Sequence, residues 1–448
     1  MRILISAGEA SGEMYGAQLI EALRGTLRFG QPRAAVPTQT QMDSPVPTQN
    51  QTSSDFSTTL ELADSTIVSG EGARATPPRV EFFGVGGERM RASGCDIVVD
   101  AKDLSVVGIT EILSHLPKIW GLFHKLVTEA DRRRPDLAVV IDSPAFNWRV
   151  ARQMKKRGVP VVYYVCPQFW AWRQGRVRLL RKYVDKALVI FPFEEKFYCD
   201  RGVNAEFVGH PLAELPRPTI SRDRYAAEHG LNVSKLWITL MPGSRNKEVR
   251  MNLPGILEAA ALLGSEYEFL IPVAPTVGSS SIQHIMHSHP LLATSARSGA
   301  PPFSENAVHL VPDALPALAH SRAGIIASGT ATVEAAMMET PFVMVYRVTP
   351  LTYLLGRWTV KVPHFAMVNL IAGEEVVSEL VQQDFTGERV AAELKRIIPD
   401  GAAREKMIEG LQRVKRVMRG NVEGNAPEHA ARAIAQLLAV GTSEAANS

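Results

Sequence analysis

Asp142 stands directly after five apolar residues, 137–141 (LAVVI), a run typical of a buried strand. A carboxylate at the carboxyl end of such a strand can face a cleft and act as a general base toward a hydroxyl group. The Ser-Pro that follows also makes Asp142 a good turn initiator, so an Asx turn explains the residue without any chemistry. Asp142 is therefore a candidate base with a structural alternative.

The segment PGSR, residues 242–245, follows a second apolar run at 236–241 (LWITLM). Pro242 and Gly243 favour a turn, Ser244 can cap the next helix, and Arg245 then emerges at the edge of the predicted sheet. A guanidinium there can hold a diphosphate through two hydrogen bonds and offset the charge that develops on a leaving phosphate. The alternative is a capped turn with a solvated arginine.

The segment SGTATVE, residues 328–334, follows the apolar run 323–327 (AGIIA) and opens a predicted helix at about Thr330. Ser328, Gly329 and Thr330 precede any acid, which leaves the helix N-terminus able to bind an anion. Glu334, one turn into the helix, can accept hydrogen bonds from a ribose diol. Together these residues predict a nucleotide diphosphate subsite, and a Ser/Thr cap with a capping-box glutamate is the alternative.

The N-terminal segment GEASGE, residues 8–13, joins a predicted strand at 2–6 to a predicted helix at 15–24. Strand, Gly-rich loop and helix in this order often cradle a phosphate. Here the carboxylates of Glu9 and Glu13 would repel one, so the loop is better suited to the hydroxyl groups of a sugar. A tight turn with ordinary first-turn acids is the alternative.

Two further segments are unusual in composition. Residues 169–182 combine Phe169, Trp170 and Trp172 with five cationic residues, and residues 106–127 are apolar on most faces of a predicted helix. Aromatics interleaved with cations suit nucleic acid, anionic lipid or a phosphorylated substrate. A helix with an apolar core side and solvated charges is the ordinary alternative, but the neighbouring apolar segment favours lipid contact. The charges of segment 106–127 and its Pro117 argue against a transmembrane span.

Composition limits the remaining classes of function. With 46% hydrophobic and 21% charged residues, the chain predicts an ordinary soluble globular protein, and a net charge of +3 alone does not indicate nucleic acid binding. Its three cysteines are far apart and the histidines show no metal-ligand spacing, which disfavours disulfides and metal catalysis. No signal peptide is recognisable, so a cytosolic protein is expected.

The candidate residues require strands that end at a common edge. Apolar strands alternate with helical segments in two successive series, which predicts an α/β fold with two doubly wound, Rossmann-like domains and a ligand cleft between them. The predicted boundaries are an N-terminal domain at 1–30 and 79–212, a C-terminal domain at 213–385, helices packing back across the domains at 386–440 and a frayed tail at 441–448. Residues 31–78, rich in Pro, Gln, Thr and Ser, predict a disordered insertion without a catalytic role.

Taken together, the motifs closely resemble lipid A disaccharide synthase, a family of bacterial membrane-associated glycosyltransferases. The resemblance spans nearly the whole chain apart from 31–78 and the extreme C-terminus, and no single motif would suffice for it. The matching segments are GEASGE, FFGVGGERMRASG, VGITEIL, VVIDSPAFN, YYVCPQFWAWRQGRV, FEEKFY, FVGHPL, MPGSR, ASGTATVEAA and MVNLIAGEEVVSELVQ.

The resemblance implies a GT-B fold and inverting transfer of 2,3-diacylglucosamine from its UDP conjugate to the 6-hydroxyl of 2,3-diacylglucosamine 1-phosphate. The products would be a β-1,6-linked disaccharide 1-phosphate and UDP, formed without a metal or other cofactor. The resemblance also implies a peripheral location at the cytoplasmic face of the inner membrane and no nucleic acid partner, and it leaves a homodimer open.

By the same resemblance, Asp142 would be the base and Arg245, preceded by Ser244, the diphosphate clamp. Glu334 would hold the ribose. The other residues implied to contact the donor are Ser328, Gly329, Thr330, Asn369, Glu374 and Gln382. Ser11, Gly12 and Glu13 would form the acceptor-side loop at the floor of the cleft.

Other functions stay open from the sequence. A UDP-N-acetylglucosamine 2-epimerase or the peptidoglycan N-acetylglucosaminyltransferase would share the fold, and a non-enzymatic membrane or nucleic acid binder would use only the aromatic and basic segment. The insertion at 31–78 departs from the family pattern. It follows the first helix, away from the carboxyl ends of the strands, so its deletion is expected to leave catalysis intact.

Overall fold

The computed structural model describes residues 1–28, 80–104, 109–172, 174–274, 276–288, 307–349, 353, 362–420 and 424–446. The predicted insertion at 31–78 lies outside these residues. So does part of the apolar segment 106–127, whose remainder belongs to helix α3.

The N-terminal half forms one parallel sheet of seven strands in the spatial order β3-β2-β1-β4-β5-β6-β7. All five residues of β4 are buried, because helices cover both faces of the sheet. The strands are β1 (Arg2–Ala7), β2 (Glu81–Gly86), β3 (Cys95–Asp100), β4 (Leu137–Ile141), β5 (Val161–Tyr164), β6 (Lys186–Val189) and β7 (Ala205–Phe207). The helices are α1 (Ala10–Arg28), α2 (Glu88–Ala92), α3 (Ile109–Arg133), α4 (Pro144–Lys156), α5 (Val177–Tyr183) and α6 (Pro192–Cys199).

The C-terminal half forms a second parallel sheet, of six strands, in the order β10-β9-β8-β11-β12-β13. Its strands are β8 (Leu236–Met241), β9 (Tyr267–Pro272), β10 (Val308–Val311), β11 (Ala323–Ala327), β12 (Phe342–Tyr346) and β13 (Glu379–Val381). Its helices are α7 (Arg222–His229), α8 (Asn246–Leu263), α9 (Ser279–Ser288), α10 (Ala314–His320), α11 (Thr330–Met338) and α12 (Met367–Ala372). The two-sheet α/β architecture predicted from the sequence is confirmed.

Each sheet has a point where the strand order reverses, and ligands of such folds bind in the crevice at that point. In the first sheet the reversal lies between β1 and β4, which pair through Ala7 and Ile141 at their carboxyl ends. In the second sheet it lies between β8 and β11. The candidate segments GEASGE, DSP, PGSR and SGTATVE therefore all lie at the two reversal points.

Three helices complete the chain: α13 (Gly387–Ile397), α14 (Ala402–Arg419) and α15 (Ala426–Ala446). Helix α13 packs on α8 and α14 packs on α11 and α12, whereas α15 returns to the first half and packs against α1. Helix α15 includes residues 441–446, where the sequence predicted a frayed tail; whether they fray stays a prediction. Within the described ranges, no helix is both long and apolar enough to cross a bilayer.

Three strands were not predicted: β3, β7 and β13. Two of these strands, β7 and β13, have only three residues each, and β3 carries aspartates at both ends of its run DIVVD, so an apolar pattern is weak or absent. All three lie at the edges of the sheets that the described residues form, where only one side of the strand pairs with another strand and selection for apolar residues is weaker.

Candidate functional site

Asp142 lies at the carboxyl end of β4 in a strained backbone conformation. Its φ angle is 46° and that of Ser143 is 47°, so two consecutive residues other than glycine occupy the left-handed region. Such conformations persist only where surrounding contacts enforce them, and they often mark functional sites. The strain turns the chain sharply between β4 and α4 and holds Asp142 at the edge of the sheet.

Asn147, on α4, supplies those contacts. Its side chain is fully buried, and Nδ2 donates to the carbonyl oxygens of Ser6 (3.1 Å), Ile141 (2.8 Å) and Asp142 (2.9 Å). Its Oδ1 accepts from the Ser6 hydroxyl at 2.6 Å. Asn147 thus joins the ends of β1 and β4 and fixes the backbone of Asp142. Sequence reasoning did not single it out, because its partners are 5, 6 and 141 residues away along the chain.

The electrostatic environment of Asp142 favours its protonated form. Burial, followed by the negative charge of Glu9, raises its pKa to about 6, and a backbone hydrogen bond from Ser143 partly offsets the rise. A carboxyl group with a pKa near neutrality can both accept and release a proton at physiological pH. Asp142 is therefore chemically suited to the base role predicted for it.

The N-terminal loop lies over the same edge. A Cβ placed on Gly12 would lie 3.7 Å from the carbonyl oxygen of Ile141, so the loop passes directly across the end of β4. Ser11 is exposed there. Glu13 turns aside: its Oε1 accepts the backbone N–H of Arg89 at 2.7 Å, at the start of α2. At least one oxygen of Glu13 is therefore engaged in structure.

Arg245 is exposed at the start of α8, after β8. Its Nη1 donates to Glu248 Oε1 at 3.0 Å, and Glu248 Oε2 accepts the backbone N–H of Ser244 at 3.1 Å. Glu248 therefore organises this loop, in an interaction that the sequence did not indicate. With 76% of its side chain exposed, Arg245 remains accessible to an anion.

Ser328, Gly329 and Thr330 form the turn between β11 and α11. Gly329 has φ 146°, a conformation that side chains disfavour, and both Gly329 and Thr330 are exposed. The Ser328 hydroxyl donates to the carbonyl oxygen of Phe365 at 2.9 Å and so joins this turn to the segment before α12. Among the residues that the structure describes, no side-chain oxygen caps α11, so the N–H groups of Gly329 and Thr330 stay available, whereas that of Thr332 donates to the carbonyl oxygen of Gly329 at 3.2 Å.

Glu334 lies one turn into α11 and its pKa is raised by burial. Its position relative to the first sheet is marked by Tyr15, on α1. Burial, then the charges of Asp142 and Glu334, raise the pKa of Tyr15 to about 12. Acids from both halves of the chain thus act on one tyrosine, which the sequence had not identified.

Asn369 has a structural environment. Its side chain is fully buried on α12, where Nδ2 donates to Val377 O (2.9 Å) and Glu379 Oε1 (2.8 Å). Its Oδ1 accepts the backbone N–H groups of Val376 (2.8 Å) and Val377 (3.0 Å). Every polar atom of the amide is engaged within the protein. The donor contact predicted for Asn369 would therefore be indirect, through the loop that it holds.

Glu374 and Gln382 lie near Asn369 in the chain but differ in setting. Glu374 is exposed and forms an ion pair with Arg413 of α14. Gln382 has φ 56°. With the oxygen and nitrogen of its side-chain amide interchanged, the amide accepts the backbone N–H of Val348 at 3.1 Å and donates to the carbonyl oxygen of Val348 at 3.2 Å. Neither side chain lines the interdomain cavity described below.

We expect Asn369→Ala to lower the free energy of unfolding by about 3 kcal/mol, since several buried backbone and side-chain groups would lose their partner. Urea denaturation would measure this, with Glu374→Ala as the control because an exposed ion pair contributes roughly 0–1 kcal/mol. Unchanged stability combined with weaker nucleotide-sugar binding would instead assign Asn369 a direct ligand contact.

A cavity of about 210 Å³ lies between the two halves, beside the turn at Ser328 and Gly329. The first half contributes Gln168, Trp170 and Ala171, from the loop after β5, and the second contributes Ser328 and Gly329. The remaining lining residues are Val362, His364, Phe365, Met367 and Leu370. Of the predicted site residues, Ser328 and Gly329 line this cavity. In the part of the chain described, no group of three or more His, Cys, Asp or Glu residues could hold a metal ion.

Comparison with known proteins relates the chain to one family. Residues 65–434 match the family described as lipid-A-disaccharide synthetase. A lipid-A-disaccharide synthase from Koribacter versatilis is 46% identical over 435 residues, which cover 97% of this chain and 98% of the relative. One from Acidobacterium capsulatum is 44% identical over 413 residues, covering 92% and 90%.

Similar solved structures show the fold. A UDP-GlcNAc 2-epimerase from Neisseria meningitidis superposes with a TM-score of 0.55 at 12% identity, covering 98% of this chain and 99% of that one. The calicheamicin glycosyltransferase CalG4 superposes with a TM-score of 0.50 at 14% identity, covering 98% of each chain. The architecture is therefore that of the GT-B glycosyltransferases, as the sequence predicted.

Proposed function

Because the chain belongs to the lipid-A-disaccharide synthetase family and is thus a glycosyltransferase of lipid A biosynthesis, we propose a specific reaction for it. It transfers 2,3-diacylglucosamine from UDP to the 6-hydroxyl of 2,3-diacylglucosamine 1-phosphate with inversion at C1. The products are a β-1,6-linked disaccharide 1-phosphate and UDP.

The observation that carries this proposal is the setting of Asp142. It combines a pKa of about 6, a backbone held by Asn147 and a position at the strand reversal of the first sheet. A hydroxyl nucleophile needs a base that is ionised near neutral pH and positioned before the substrate arrives. Asp142 meets both requirements.

In this mechanism Asp142 removes the proton from the acceptor's 6-hydroxyl as that oxygen attacks C1 of the donor sugar. The bond between C1 and the diphosphate oxygen breaks, and UDP leaves with the electron pair. Inversion requires attack from the face opposite the leaving group, which suits a base on the first sheet and a diphosphate held on the second.

On the donor side, the exposed turn at Gly329 and Thr330 offers free backbone N–H groups at a helix N-terminus, where the helix dipole favours an anion. Arg245 would neutralise the charge that develops on the departing UDP. The buried carboxyl group of Glu334, one turn further, would accept hydrogen bonds from the ribose. Ser244, Asn369, Glu374 and Gln382 would support this side through loop structure.

The acyl chains require an apolar surface. Trp120 on α3 is 56% exposed and stacks with Phe123 at 5.5 Å between ring centroids. An indole at the surface is well suited to the interface between lipid and water. We propose that the protein is peripherally associated with the cytoplasmic face of the inner membrane.

We further propose that the N-terminal domain comprises residues 1–30 and 79–212 and the C-terminal domain residues 213–385. A homodimer is compatible with the proposed reaction.

The test is UDP release by the purified protein from UDP-2,3-diacylglucosamine, with and without 2,3-diacylglucosamine 1-phosphate. Release that needs the acceptor, together with a disaccharide 1-phosphate in the product, would support the proposal. Unacylated UDP-N-acetylglucosamine is the control donor. Its isomerisation without UDP release would indicate an epimerase, and its transfer to a peptidoglycan precursor would indicate the alternative transferase.

A further inference from the structure

The aromatic loop, residues 167–172, forms the wall that the first half contributes to the interdomain cavity. Gln168, Trp170 and Ala171 line the cavity opposite Ser328 and Gly329. Trp170 itself is buried, with a relative exposure of 7%. The position of its indole ring therefore shapes the space beside the candidate diphosphate turn.

Helix α6 holds this loop at two points. Glu194 Oε1 accepts the indole N–H of Trp170 at 2.8 Å, and the Tyr198 hydroxyl donates to the carbonyl oxygen of Pro167. The two helix residues are four apart and thus lie on the same face of α6. Phe193, also on α6, meets the Trp170 ring edge-to-face with centroids 4.8 Å apart.

The carboxylate of Glu194 is completely buried and fully used. Its second oxygen, Oε2, accepts the backbone N–H groups of Ile190 (3.2 Å) and Phe191 (3.1 Å), at the end of β6. One oxygen therefore bonds to the backbone after β6 and the other bonds to Trp170. The carboxylate bridges the end of β6 and the indole, and so fixes the position of the indole relative to the sheet.

A buried acid is costly for folding unless its interactions compensate. Burial raises the pKa of Glu194 to about 7, and the hydrogen bonds from Trp170, Phe191 and Ile190 lower it in part. All three partners are neutral N–H donors, and no cation among the hydrogen-bond partners offsets the cost of burying the charge. An apolar residue in this place would leave the three N–H groups without their acceptor, which indicates that the acid is retained for the hydrogen bonds that position the indole and the end of β6.

We propose that Glu194 is a positioning residue for the glycosyl donor, acting through the indole of Trp170. It holds Trp170 as a rigid wall opposite the turn at Ser328 and Gly329, so that the donor's sugar and diphosphate enter a cavity of fixed width. The inference rests on the proposed function, which puts the donor's diphosphate at that turn.

Glu194→Gln tests the proposal while keeping the side-chain volume. Glutamine has one acceptor oxygen where glutamate has two. Its oxygen can therefore accept from Trp170 or from the backbone N–H groups, but not from both, and its NH2 group would face another N–H donor on the remaining side. We expect the KM for the UDP-sugar to rise about tenfold, the usual effect of losing one hydrogen bond to a charged group, with kcat changed less than twofold. Hydrogen exchange of the backbone N–H groups of residues 168–172 should accelerate as well, residue 167 being a proline.

Glu195→Gln is the matched control, since Glu195 is the next residue of the same helix and is only partly buried. Trp170→Phe removes the same hydrogen bond from the other partner and serves as the second probe should Glu194→Gln fail to fold. In the double variant the KM effect should equal that of the stronger single change, because both changes break one interaction.

Unchanged KM and exchange in both single variants would overturn the proposal. Faster exchange with unchanged KM would also overturn it, because Glu194 would then be structural only. The wild-type enzyme separates this result from failure of the proposed function: without acceptor-dependent UDP release by the wild type, the proposed reaction itself fails, whereas hydrogen exchange still reports whether Glu194 holds the loop.

Discussion

Asp142→Asn is expected to lower kcat by about 10²–10⁴-fold, the usual contribution of a general base. Asparagine has nearly the same shape and tolerates the left-handed backbone that this position requires. The variant should therefore fold, bind the nucleotide sugar and fail at proton removal. Rates of UDP release at saturating substrates, with folding checked by circular dichroism, would measure this.

The same change should stabilise the protein above pH 7. The pKa of Asp142 is about 6 in the folded state, against about 3.9 in an unfolded chain, so ionisation favours the unfolded state. The destabilisation is absent below the unfolded pKa, grows as the pH rises between the two values, and is complete above pH 6. Removing it should raise the unfolding free energy at pH 8 by up to roughly 3 kcal/mol, with no gain near pH 3.

Asp136→Asn is the control, since Asp136 is exposed at the opposite end of β4 and accepts the backbone N–H of Arg2 at 2.7 Å. It should leave kcat unchanged. The wild-type rate should also fall as the pH drops through about 6, when Asp142 becomes protonated. Turnover by Asp142→Asn within threefold of wild type would remove Asp142 from the base role.

Arg245→Ala should lower kcat by roughly 10²–10³-fold, the usual cost of losing one donor to a developing negative charge. Stability should change little, because 76% of the side chain is exposed and its partner Glu248 keeps its bond to Ser244. Arg245→Lys should recover only part of the rate, since an ammonium group cannot form the paired hydrogen bonds of a guanidinium. Steady-state kinetics of UDP release would measure both variants.

Arg250→Ala provides the control, because Arg250 is exposed more than one turn further along α8. Loss of donor binding without loss of kcat would show that Arg245 acts on the ground state and not on the leaving group. An equal loss in Arg250→Ala would indicate that the general positive charge of the helix matters more than Arg245.

Most of the interior strands could be predicted from the sequence. The runs at 137–141, 236–241 and 323–327 coincide with β4, β8 and β11, because parallel strands buried on both faces must be apolar throughout. The helix beginning at Thr330 was also predicted, from the turn that precedes it. The edge strands β3, β7 and β13 were not predicted, because the apolar pattern of a strand is weak where the strand is only partly buried.

The residue types at the strand ends, the α/β class and the family follow from the amino-acid sequence, because they depend on local pattern and on motifs in a fixed order. Which loops meet could be seen only in the folded protein. Strand order placed Asp142 beside the first loop. Long-range contacts revealed Asn147, which bonds to Ser6 at a separation of 141 residues, and likewise Tyr15 and Glu194. The tertiary structure also shows that Asn369 and Glu13 form hydrogen bonds within the protein. Burial and hydrogen bonding at a given residue depend on the packing of distant segments, which no local pattern encodes.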